Sequence, residues 1–173
     1  MERLPSAGAT RLLRSAHLAV GLVFLVVFLG TGQYMDLVHD HLRGMDDVRR
    51  MLFRSVHIYL LLAALLNLAL GLYLRPGAEA PARLLQILGS LPVLVAPALL
   101  LQAFFTEPQL AELARPYTRP ALYSMLGGML LHLLAVAGDR SGRRAPPAMP
   151  PGSASAERQA GASEPSPTGA GHR

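Results

Sequence analysis

The chain has 173 residues, a formal net charge of +5 and 51% hydrophobic residues, with a mean hydropathy of +0.34. One domain suits that length, and so apolar a composition points to lipid rather than water as the solvent. The absence of cysteine excludes disulfides, iron–sulfur clusters, thiolate zinc sites and cysteine nucleophiles, and the arginines, which are the chain's only cationic side chains at neutral pH, gather at the ends of apolar runs, where membrane topology rather than nucleic acid puts them.

The first element follows a short arm, residues 1–14, carrying Arg3, Arg11 and Arg14. From there "SAHLAVGLVFLVVFLGTGQYM" runs to Asp36 with no Asp, Glu, Lys or Arg. It is too long for the apolar region of a signal peptide, and no small-x-small cleavage pattern precedes Asp36, so it reads as a retained span. Three more charge-free runs follow: "SVHIYLLLAALLNLALGLYL", "LLQILGSLPVLVAPALLLQAFFT" and "PALYSMLGGMLLHLLAVAG". Each run is about 19 to 23 residues long, and a helix needs roughly 20 residues to cross the hydrocarbon core. Polar faces, which a soluble helical core would require, are missing. The expectation is an all-α integral membrane four-helix bundle with spans at about 15–35, 55–74, 84–106 and 120–138.

Between the first two spans, "DLVHDHLRGMDDVRRMLF" places Val38, Leu42, Met45 and Leu52 at helical spacing, with Asp46 and Arg50 four apart. It predicts a short amphipathic helix on the membrane surface, broken near Gly44 and leading into the second span. Pro92 and Pro97 lie within the third span and should kink or loosen it. Residues 140–173, rich in Pro, Gly, Ser and Ala, cannot bury enough surface to offset their ordering entropy and predict a disordered tail.

Four spans put both termini on one side. The arm, the loop with Arg75 and Arg83, and the tail's Arg140, Arg143 and Arg144 hold more arginine than the opposite loops with Arg43, Arg49, Arg50, Arg54, Arg115 and Arg119. Both termini are therefore expected in the cytoplasm. The Ala-, Leu-, Gly-, Pro- and Arg-rich composition suits a bacterium, and so its inner membrane.

Three histidines and one asparagine are the polar residues to account for inside the spans. His17 sits about 3 Å inside its span and His132 about 9 Å from the same membrane edge, at 1.5 Å per residue. Two histidines in one leaflet can ligate a haem iron from its two faces. Gly21, four after His17, and Gly128, four before His132, share their ligands' faces and would let a flat macrocycle approach. Haem b is the cofactor this pattern suits. The plainer account has these histidines bonding between helices, and Ser124 with Gly128 forming a small-xxx-small packing face. Asn67, deep in the second span, is expected to make an interhelical hydrogen bond.

Arg50, Arg54 and His57 recur at helical spacing and form one stripe at the outer end of the second span, suited to an anion or lipid headgroup. Arginines snorkelling to the interface above a loop-bonded His57 is the structural counterpart. A third pattern, Asp36, His39 and Asp40 with His57 below, has ligand types that suit zinc or copper. A solvated polar loop accounts for the same residues. No P-loop, GxGxxG, HExxH or GxSxG motif is present, so the sequence assigns no reaction.

"RRMLFRSVHIYLLLAALLNLALGLYL", residues 49 to 74, with "TGQYM" before it, resembles small four-span proteins of bacterial inner membranes. That resemblance brings no established activity with it. The layout is also loosely similar to four-helix cytochromes b of the b561 type, which use paired histidines in both leaflets. Here His17 and His132 could supply one pair, and the other leaflet offers His57 alone. The working expectation is a structural or accessory membrane subunit. Its partners would be the lipid bilayer and other membrane proteins or copies of itself. The alternatives are a single-haem electron carrier and a component of an oligomeric channel or transporter.

Overall fold

The computed structural model describes residues 7–75, 77, 79–110 and 113–144. Four helices carry the fold: α1 (Ala7–Leu37), α2 (Asp47–Tyr73), α3 (Ala80–Thr106) and α4 (Thr118–Arg144). Short 3-10 turns at Asp40–Leu42 and Glu107–Gln109 join them, and no strand occurs among the described residues. All four helices are long and apolar enough to cross a membrane. The compact unit that holds the bundle is Met1–Ser141. Of the expected tail, residues 140–144 continue α4, and residues 145–173 lie outside the described part.

The helices outrun the charge-free segments, because a charged residue alone does not end a helix. Asp46 accepts a hydrogen bond from the Arg49 amide at 2.9 Å and starts α2, as an N-cap carboxylate does. Arg14 reaches from α1 to the far end of α2, donating through Nε to the Gly71 carbonyl at 3.1 Å and through a terminal nitrogen to Leu72 at 3.3 Å. It satisfies carbonyls that the end of α2 leaves without amide partners. Gln86 of α3 binds the backbone that follows α2, accepting from the Gly77 amide at 3.1 Å and donating to the Arg75 carbonyl at 2.8 Å.

The amphipathic surface helix takes another form. Asp40, His41, Leu42 and Gly44 all have positive φ, so the 3-10 turn at Asp40–Leu42 is left-handed and the expected amphipathic helix does not run through it. Leu42, at φ 64 and 3% exposed, is held in a backbone region that branched residues avoid by the burial of its side chain. The expected Asp46–Arg50 pair does not form. With Asp46 taken up as the cap, Arg50 donates to the Met45 carbonyl at 2.8 Å and pairs with Asp47 at 3.4 Å.

Consecutive helices run antiparallel. Thr31 of α1 meets His57 of α2, while Gly21 lies against Leu68 and Leu18 against Gly71. Gly89 of α3 lies against the backbone of Gly128 in α4. A Cβ at Gly21 would sit 2.7 Å from a Leu68 side-chain carbon, and one at Gly89 would sit 2.7 Å from the Gly128 carbonyl oxygen. These glycines let helix backbones approach closely, which membrane helices use in place of a hydrophobic driving force.

The core divides along the bundle. Phe53, Val56, Leu60, Ala96, Leu100 and Phe104 build the larger cluster at the 38–46 end, and a smaller one joins Leu70, Leu74 and Val93 with Leu13 and Met129 towards the 75–79 end. The two prolines of α3 leave it one continuous helix. Pro97 has no amide to offer the Val93 carbonyl one turn earlier. Asn67 of α2 supplies the missing donor, with its Nδ2 at 3.1 Å from that oxygen. A neighbouring helix thus satisfies the freed backbone group, as a span without water requires.

Candidate functional site

His17 and His132 meet in the bundle interior. Their ring centroids are 6.4 Å apart with the planes at 68°, and both residues are buried. The depth difference expected from the sequence is absorbed by how α1 and α4 are placed.

Each ring is tethered on one side. His17 Nδ1 lies 2.7 Å from Asn67 Oδ1. The Asn67 amide nitrogen donates to the Ala63 and Val93 carbonyls at 2.9 and 3.1 Å, which fixes its oxygen towards His17. Nδ1 must then carry the proton, and His17 Nε2 is left as a lone pair. On the other ring, Nε2 of His132 lies 3.2 Å from Oγ of the buried Ser90. His17 Nε2 and His132 Nδ1 are both buried and have no hydrogen-bond partner.

A cavity of about 280 Å³ opens beside His132, lined among others by Leu70, Tyr73, Leu74, Gln86 and Met129. Its wall is almost entirely apolar. Met129 stands three residues, one helical turn, before His132 on that wall.

Haem meets this arrangement only in part. The free nitrogens are of the kind that axial ligation uses. The glycines expected to admit the macrocycle are closed: Gly21 is filled by Leu68 of α2, and Gly128 by Gly89 and Val93 of α3. Both share their histidine's helix face as expected, but that face is spent on helix packing. Leu13, Leu70, Val93 and Met129 occupy the apolar core one turn from the pair. Among the described residues, a porphyrin at this pair would need α1 and α2, and α3 and α4, to part at those two glycines.

The loop metal site is not assembled either. The end of α1 at Leu37 and the left-handed turn after it break the shared face of Asp36, His39 and Asp40. Asp36 pairs with His41, and His39 packs against the rings of Tyr34 and Phe53. Among the described residues no group of three or more His, Cys, Asp or Glu gathers for a metal ion.

His57 explains why a titratable ring lies below Arg54. Thr31 Oγ1 donates to the Phe28 carbonyl at 2.9 Å, so it accepts from His57 Nδ1, also at 2.9 Å. The ring stacks on Phe28 at 4.1 Å, and Gly32 makes room for it, a Cβ there lying 3.3 Å from the imidazole. His57 clasps α2 to α1. Arg54 is exposed and Arg50 folds back on the loop, so the three do not converge.

Of the expected packing residues, Asn67 makes its interhelical bonds and Gly128 its close crossing, while Ser124 is half-buried. Sequence reasoning missed Ser90, Thr31, Met129 and above all Glu107. Glu107 is fully buried and accepts from the Tyr117 amide at 3.0 Å, the Thr118 amide at 2.8 Å and the Thr118 hydroxyl at 2.6 Å. A carboxylate at the start of α4 suits the positive end of the helix dipole. The available signal was a carboxylate placed directly after an apolar span, with Thr118 opening the next.

Comparison with protein-family models, with curated proteins and with solved structures found no match.

Proposed function

We propose that the chain is a structural or accessory subunit of a bacterial inner membrane, with both termini cytoplasmic, that binds other membrane proteins or copies of itself. One observation carries this reading: the helices cross by close glycine packing at Gly21, Gly71, Gly89 and Gly128, the kind of contact by which membrane helices associate. The outer side of α1 supports it, since Leu22, Val26 and Leu29 recur at helical spacing and all are exposed. Such a stripe suits lipid or another apolar helix.

Mild-detergent extraction followed by native mass spectrometry tests the proposal. A defined assembly, lost when Leu22, Val26 and Leu29 are changed together to Ala, is expected. A strictly monomeric chain under conditions that preserve known membrane complexes overturns it. The lack of native cysteine makes orientation easy to test with single-cysteine variants and an impermeant maleimide. Arg43→Cys and Arg115→Cys should label from the periplasmic side of intact spheroplasts, and Glu79→Cys only after lysis.

The alternative is a single-haem b electron carrier with His17 and His132 as axial ligands. It draws on the same two free nitrogens and requires the helices to part around the macrocycle. Reduced-minus-oxidised spectra of protein made with ample haem decide it, and missing Soret and alpha bands remove it.

A further inference from the structure

We propose that His17 and His132 form a buried two-coordinate site for one soft monovalent metal cation of the copper(I) class, with the Met129 thioether as its neighbour. The proposal goes beyond the accessory role and does not depend on it.

Spacing is the first argument. Metal–imidazole bonds are about 2.0 Å, and with ring bonds of about 1.33 Å a nitrogen lies about 1.1 Å from its ring centroid. Two imidazoles on opposite sides of one ion therefore have centroids about 6.2 Å apart. The observed separation is 6.4 Å. A direct N–H···N bond of about 2.9 Å would bring the centroids to about 5.1 Å. The gap is wider than a direct bond needs and leaves room for one bridging atom. The 68° between the planes is no obstacle, because each ring can turn about its own metal–nitrogen bond.

Preparation of the donors is the second. The bond from His17 Nδ1 to Asn67 leaves Nε2 as the deprotonated atom that a cation needs. The outward bond of a metal-bound histidine sets its tautomer and orientation in the same way. Ser90 holds the other ring through Nε2. The two nitrogens left over are the buried, unpartnered ones. An unsatisfied polar atom in an apolar core is costly, and one shared ligand would satisfy both of these neighbouring rings.

Charge selects the ion. Both donors are neutral, and among the described residues no cluster of carboxylates stands by to balance a second positive charge. The solvation penalty scales with the square of the charge, so a divalent ion would cost about four times as much as a monovalent one. Soft sulfur ligands favour copper(I), and Met129 shares with His132 the wall of the apolar cavity.

The test is a titration of the full-length chain in detergent with copper(I) against a chromophoric chelator. One ion per chain is expected, with affinity falling by about a hundredfold or more in His17→Gln and in His132→Gln, and less in Met129→Leu. His39→Gln should bind as the native chain does. No competition with the chelator by the folded native chain overturns the proposal, as does unchanged binding in folded variants of both histidines. If those variants fail to fold, nitrogen NMR of the histidine-labelled native chain decides. Copper(I) must move His17 Nε2 and His132 Nδ1 while leaving His39, His41, His57 and His172 in place. Shifts confined to the latter four overturn the site. A histidine-dependent Soret band in the isolated protein would mean a macrocycle rather than a bare ion, and also overturns it.

Discussion

Asn67 decides which nitrogen of His17 carries the proton. Its amide nitrogen is committed to the Ala63 and Val93 carbonyls, so its oxygen faces His17 Nδ1 at 2.7 Å. One side chain thereby fixes a tautomer in α1, bonds its own helix and repairs the gap that Pro97 opens in α3.

Replacing Asn67 by Leu strips three bonds at once and leaves the Val93 carbonyl and His17 Nδ1 without partners. Unfolding in mixed micelles, followed by circular dichroism, should show a loss of about 1–3 kcal/mol. Nitrogen NMR should find His17 protonated at Nδ1 in the native chain. A His17 protonated at Nε2 instead would show the amide to be turned the other way.

The adjacent glycines of α4 should behave oppositely. A Cβ at Gly128 would meet the Gly89 carbonyl oxygen and lie 2.6 Å from Val93 Cγ2, whereas one at Gly127 meets nothing within 4 Å. Gly128→Ala should therefore destabilise by about 1–3 kcal/mol through overpacking. Gly127→Ala should stay within about 0.5 kcal/mol of the native chain. Equal effects in the same micelle assay would contradict the α3–α4 crossing.

Glu107 should prove a larger determinant of stability than its place at a span boundary suggests. Glu107→Ala removes the acceptor of three hydrogen bonds at the start of α4 and should destabilise by about 2–3 kcal/mol. Thr118→Val, which loses only the hydroxyl bond, should be milder. Thermal melts of both variants in detergent provide the comparison, and a harmless Glu107→Ala would refute the capping role.

Coupling between His57 and Thr31 is measurable by a double-mutant cycle with His57→Phe and Thr31→Val. An interaction of about 0.6 kcal/mol, the average for polar contacts between membrane helices, and at most about 1.7 kcal/mol is expected. Strict additivity would mean that the 2.9 Å contact contributes nothing.

The four spans were legible because charge is excluded from lipid, and that rule acts on each segment separately. Depth along each span also pointed to the His17–His132 encounter, since it needs only the rise per residue. The roles of Gly21 and Gly128 were not legible. Periodicity shows that a glycine shares its histidine's side of the helix, but not whether that side meets a cofactor, Leu68 or Gly89. The Asp36–His39–Asp40 pattern failed for a related reason. A helical face was assumed across a stretch in which Asp40, His41 and Leu42 turn left-handed. Asn67 could have been tied to α3 in advance, because Pro97 must leave a carbonyl without its amide.

Arg14 and Gln86 brace one end of the bundle while Arg50 and Glu107 belong to the other, and the runs between carry no Asp, Glu or Arg. A transmembrane voltage acts only on charge lying within its drop, at about 2.3 kcal/mol per elementary charge per 100 mV. With neutral imidazoles, the helices offer the electric field almost nothing to pull on. A cation lodged between His17 and His132 would be the first such handle, and its occupancy would then depend on whether the cell is energised.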